Sequence, residues 1–183
     1  VYLQASEDPD LRGLLVEVDA GGTAWNKATG QISSTLGNVS LVGLAVNQSG
    51  RTSVTTSVQR NGSIRLLARD TVSVVQGTGS QPPTLNTARA GTVTLGAGSQ
   101  TVAGIDAATA DKTAVPDQVQ PLSSVEVVGR QVEMQAGSRI HVPGGSVSIT
   151  ALPNPAELPL GETPLPEDPE SWIHLADDSV IDA

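Results

Sequence analysis

The 183-residue chain contains no cysteine and no phenylalanine, one tyrosine, one methionine and two tryptophans. Without thiols it can build neither a disulfide framework, nor a thiolate nucleophile, nor a cysteine-ligated zinc knuckle. With almost no aromatic side chains, its core must be made from Val, Leu, Ile and Ala. Basic residues are scarce as well: 10 Lys and Arg stand against 19 Asp and Glu, for a formal charge of -9 and a pI near 4.5. Such a chain has no basic field with which to displace counterions from phosphate, which excludes nucleic acid as a partner and disfavours anionic membrane surfaces. The longest apolar run, residues 41–46, is interrupted by Gly43 and is far shorter than a bilayer span, so no transmembrane segment is expected. Residues 1–10 carry no initiator Met, basic n-region or apolar h-region, and the chain reads as an internal piece of a longer polypeptide.

Glycine and proline are plentiful, 19 and 12 residues, so the chain should turn often and should not be a helical bundle. Between the turns runs a short alternation of apolar and polar residues, the period of a β-strand. It is clearest in residues 124–128, 131–136, 138–142 and 146–151. There Val125, Val127, Val132, Met134, Ala136, Ile140, Val142, Val147, Ile149 and Ala151 share one phase. Glu126, Glu133, Gln135, Arg139, His141, Ser146, Ser148 and Thr150 take the other. The same grammar recurs at 38–44, 53–58, 63–68, 71–75, 92–96, 100–105, 172–176 and 179–182. Residues 14–18 read as a strand, and 25–31 as loop or irregular coil. Short strands joined by Gly or Asn corners, about three per 20-odd residues, predict an all-β chain that winds into coils and stacks them, a β-solenoid. A β-sandwich is the structural rival, but it favours longer strands and an aromatic anchor that this chain lacks.

Three stretches break the alternation and are expected to be loops thrown out from coil corners: residues 77–90 with Pro82 and Pro83, 107–122 with Pro116 and Pro121, and 152–171 with six prolines. Proline has no N–H to give to a sheet ladder, so these segments should not be rungs. From residue 144 onward every charged side chain is acidic. The whole chain, 1–183, reads as one solenoid segment.

No residue pattern announces an active site. There is no nucleophile elbow, Walker loop or dinucleotide fingerprint, and the Gly-rich triplets 77–79 and 96–98 read as turns. His141 and His174, the only histidines, fall on the outward phase without converging ligands and read as surface residues. Asp177, Asp178 and Asp182 match no calcium-loop spacing and read as turn and surface residues. Glu126 and Glu133, the carboxylates an acid-base pair would use, lie on successive strands that face different sides of a coil. Three Asn-x-Ser triplets, at Asn38, Asn47 and Asn61, are accounted for by corner and strand preferences. No catalytic, cofactor or metal residue is assigned, and no enzyme activity is expected.

The strings at residues 37–41, 62–68 (GSIRLLA), 132–140 (VEMQAGSRI), 143–151 (PGGSVSITA) and 178–183 (DSVIDA) resemble the repeat grammar of filamentous haemagglutinin-type exoproteins of bacterial two-partner secretion. The resemblance covers roughly residues 37–183 and consists of repeats rather than of an active-site motif. It implies a right-handed parallel β-helix, export of the parent chain through an outer-membrane transporter, and work as a secreted or cell-surface adhesin of a Gram-negative bacterium that meets a host-cell or neighbouring-cell receptor or glycan. The Asn-Pro-Asn motifs of that family's secretion domain are missing, as is an Arg-Gly-Asp triplet, so the match is to the shaft beyond that domain. A carbohydrate-active solenoid enzyme and the stalk of a contact-dependent toxin-delivery exoprotein are the alternatives.

Overall fold

The structure, a computed structural model, describes residues 2–4, 13–17, 22–57, 61–69, 71–79, 84–88, 91–106, 122–152 and 170–183. All regular structure among them is β. The chain starts with β1 (Tyr2–Gln4) and then makes a first pass of three strands, β2 (Gly13–Glu17), β3 (Thr23–Asn26) and β4 (Gln31–Ser34). A second pass follows in β5 (Asn38–Gly43), β6 (Ala45–Gln48) and β7 (Arg51–Thr56). The third pass begins with β8 (Ser63–Ala68), leaves for β9 (Thr71–Val75) and β10 (Thr84–Ala88), and returns through β11 (Thr92–Leu95) and β12 (Gln100–Ile105). The fourth is β13 (Ser124–Gly129), β14 (Gln131–Met134) and β15 (Arg139–His141). The fifth is β16 (Ser146–Ala151), β17 (Trp172–Leu175) and β18 (Val180–Asp182).

Each pass adds one strand to each of three sheets, always in the same cyclic order. The first sheet runs β1-β2-β5-β8-β13-β16, the second β17-β14-β11-β6-β3 and the third β18-β15-β12-β7-β4. Every pairing between passes is parallel. Only β1, antiparallel on β2, departs from this in the three stacked sheets. One pass is a coil, and the connectivity is consistent with the β-solenoid read from the alternation.

Parallel, in-register pairing places chemically similar residues over one another. On the first sheet Val39, Ile64, Val125 and Val147 form one inward column, and Leu41, Leu66, Val127 and Ile149 a second. On the second sheet Ala24, Val46, Val93, Val132 and Ile173 are stacked in register. On the third, Ile32, Thr52, Thr101, Ile140 and Ile181 are. Sixteen aliphatic side chains and Met134 fill the interior as a single cluster, with Ile32, Val147 and Ile149 half-buried against it. The narrow cross-section follows from this inventory, because short branched side chains from three sheets meet without an aromatic ring between them.

The corner between the second and third sheets shows why the chain turns where it does. The tetrads 96–99, 135–138 and 176–179 each close with a backbone bond from the fourth residue to the first: Ser99 N to Gly96 O, Ser138 N to Gln135 O and Ser179 N to Ala176 O, at 3.0, 3.0 and 3.1 Å. The third residue of each has positive φ: Gly98 at 68°, Gly137 at 70° and Asp178 at 63°. A turn with positive φ at its third position favours glycine, and the fifth coil meets the same demand with an aspartate.

Several expectations are corrected. Residues 25–31 are a loop only in part, since Trp25 and Asn26 end β3 and Gln31 begins β4, with a turn at 27–30 between them. Residues 84–88, inside the stretch 77–90 expected to be a loop, form β10, because Pro82 and Pro83 precede the strand rather than interrupt it. Residues 71–75 are a strand but not a rung: β9 and β10 form a separate antiparallel pair. Ala136, assigned to the inward phase, is exposed at the corner, and the inward place falls to the buried Ser138 two residues on. The bodies of the other two expected loops, 107–121 and 153–169, lie outside the described residues.

Two substitutions test this architecture. Ile140→Ala, which empties a fully buried site, should cost about 2–5 kcal/mol in urea unfolding, whereas the exposed Ser148→Ala should be nearly neutral; equal effects would show the inward phase to be wrong. Asp178→Gly should raise stability by about 0.5–1 kcal/mol, since glycine adopts the left-handed corner without steric cost.

Candidate functional site

The outward positions of the rungs carry the chain's reactive side chains, and the register decides which of them meet. On the first sheet Arg65 and Glu126 occupy the same outward column on adjacent coils, with Arg65 Nε 3.6 Å from Glu126 Oε2. Both are partly exposed, so the pair contributes little to stability, but it commits Glu126 to a cation. Glu133 projects from the second sheet, on β14, where its register partner on the next coil is His174. The two glutamates thus stand on different sheets.

His141 lies on the third sheet directly opposite Asp182, with Nδ1 2.8 Å from Asp182 Oδ2. A carboxylate only accepts, so the proton of that bond belongs to Nδ1. His174 is exposed and meets the edge of Trp172, ring centroids 6.4 Å apart. Arg130, in the corner before β14, pairs with Glu170 just ahead of β17. Asp177 and Asp178 are exposed in the corner turn of the fifth coil. Among the described residues no group of three or more His, Asp or Glu side chains is gathered where it could hold a metal ion. No helix among them is long and apolar enough to cross a membrane.

The three Asn-x-Ser triplets have different fates. Asn38 is buried, and its Oδ1 accepts from both the backbone N and the Oγ of Ser63, at 3.1 and 2.8 Å. It is a structural link between the second and third coils. Asn47 is half-buried on the outward side of β6, and Asn61 reaches Leu122 O at 3.5 Å.

The polar cluster that sequence reasoning missed lies inside. Asn26 and Gln48 occupy the column that Leu95, Met134 and Leu175 continue on the later coils. Gln48 Oε1 accepts from Asn26 Nδ2 and from Thr52 Oγ1, both at 2.9 Å, while Gln48 Nε2 donates to Gly50 O and Gln100 O, both at 3.1 Å. Asn26 Nδ2 also reaches Arg51 O at 3.1 Å. These bonds tie three coils together at one corner, and the satisfied amides offset the cost of their burial. The available signal was the odd phase of two carboxamides: both sit where alternation demands an apolar residue.

No family model, curated protein or solved structure matches the chain.

The interior cluster has a measurable consequence. Gln48→Leu restores the aliphatic column but removes the acceptor shared by Asn26 Nδ2 and the Thr52 hydroxyl and the donor to Gly50 O and Gln100 O, and should cost about 1–3 kcal/mol in chemical denaturation. A Leu pair at both 26 and 48 should recover part of that loss, because both ends of the bond are then apolar.

Proposed function

We propose that the chain is a structural and adhesive shaft segment of a large secreted or surface-exposed bacterial exoprotein of the filamentous haemagglutinin type, wound as a right-handed parallel β-helix. The observation that carries the reading is the cyclic order of the three sheets with its in-register inward columns. Each coil buries one more layer of aliphatic side chains and lengthens the molecule by roughly 4.8 Å, so extension does not require a larger core. The right-handed sense follows from the strong chiral preference of crossovers between parallel strands.

In this reading the outward faces and the proline-rich segments between coils make the contacts with a host or neighbouring cell, and the parent chain leaves its cell through an outer-membrane transporter of two-partner secretion. A net charge of -9 keeps such a shaft soluble. The carbohydrate-active enzyme is less favoured, because Glu126 is engaged by Arg65 and Glu133 stands on another sheet.

The test is direct. Immobilised native chain should retain bacterial or epithelial cells in a saturable manner, and heat-unfolded chain should not. Incubation with pectins and glycosaminoglycans should release no product above a buffer control. Failure to retain cells, together with turnover that disappears on Glu126→Gln or Glu133→Gln, would replace the shaft with an enzyme.

A further inference from the structure

The chain has only two histidines, and both lie at one place: the junction between the fourth and fifth coils. Each faces a carboxylate across that junction, in opposite senses. On the third sheet the fourth coil supplies His141 and the fifth Asp182, whose side chains meet at 2.8 Å. On the second sheet the fourth coil supplies Glu133 and the fifth His174, at the same register position. The Arg130–Glu170 pair crosses the same junction without a histidine. We propose that this junction is a pH-sensitive joint, in which protonation of His141 and His174 tightens the stacking of the fifth coil on the fourth. The proposal rests on the stacking of the coils and not on the adhesive role.

The charges around each imidazole give the sign. His141 has Asp182 opposite it on β18, the uncharged Val102 opposite it on β12, and Arg139 two residues earlier on its own strand. The arginine opposes protonation, but the carboxylate is in direct hydrogen-bond contact. His174 has Glu133 opposite it on β14, Trp172 beside it on its own strand, and Asp177 in the turn that follows. A protonated imidazole attracts the carboxylate opposite it and a neutral one does not, so the attraction across the junction grows as the histidines take up protons and is lost where the carboxylates are themselves neutralised. Exposed pairs are modest and screened by salt, so each should change the opening equilibrium by no more than a few fold.

The joint has its own reporters. The amides of Trp172, Ala176 and Val180 donate to Arg130 O, Met134 O and Ser138 O across the junction, at 3.2, 2.8 and 2.9 Å. Amide hydrogen exchange on the full chain, corrected for intrinsic rate, should show these three at least about threefold better protected at pH 5.5 than at pH 7.5. The amides of Gly96 and Gln100, which donate from the third coil to the second, serve as the internal reference and should not change. The difference should shrink in 0.5 M NaCl and vanish in the double variant His141→Gln, His174→Gln, whose side chains keep polar size without a titrating proton. Protection that is independent of pH, that changes equally at Gly96 and Gln100, or that keeps its pH dependence in the double variant would overturn the proposal.

Discussion

Everything in this molecule depends on strands pairing in parallel and in register from coil to coil. Register places residue over residue, so that each side chain faces its counterpart on the next coil and a whole column shares one side of the sheet. The Val39, Ile64, Val125 and Val147 column and the Leu41, Leu66, Val127 and Ile149 column are made this way. So are the outward contacts between Arg65 and Glu126 and between His141 and Asp182. The hydrogen-bond ladder and the hydrophobic stack are therefore set by a single choice. A slip of one residue along any strand would turn the aliphatic column outward and bring polar side chains into the interior.

The near absence of aromatics fits this constraint. A column of identical small shapes packs at a rung spacing of about 4.8 Å, and Val, Ile and Leu fill such a layer without forcing the sheets apart. The two tryptophans are both exposed, on the outward phases of β3 and β17, rather than placed in the core. Trp25 carries Lys27 over its ring at 5.5 Å.

Legibility in the sequence followed the same division. Strands whose inward residues are mainly Val, Ile and Leu stand out by their period, and those at 63–68 and 146–151 have the bounds that the alternation predicts. The strand at 100–105 has its predicted bounds as well, although its buried residues are Thr101 and Ala103. Two other strands are less visible. Residues 23–26 hide an interior Asn26 behind an apparent loop, and 45–48 run into the preceding apolar stretch because the bend at Gly43 and Leu44 is itself apolar. The antiparallel pair of β9 and β10 was invisible as such, since alternation reports that a segment is a strand and says nothing of its partner. For the outward residues, phase predicted exposure, but only register could tell that His141 meets Asp182 and that Glu126 meets Arg65.

A chain of similar coils faces a problem of address: with nearly interchangeable rungs, a strand can dock one coil too early or too late and still satisfy its ladder. The carboxamides of Asn26 and Gln48 break that degeneracy. On the second sheet their neighbours in the column are each other on the early coils, and Leu95 and Met134 on the later ones. If β3 docked against β11 in place of β6, the Asn26 amide would face Leu95 with no partner, at a cost of about 1–3 kcal/mol, and Gln48 would be displaced from its acceptors at Gly50 and Gln100. The buried amides thus number the coils, and folding can count them from the end where they lie.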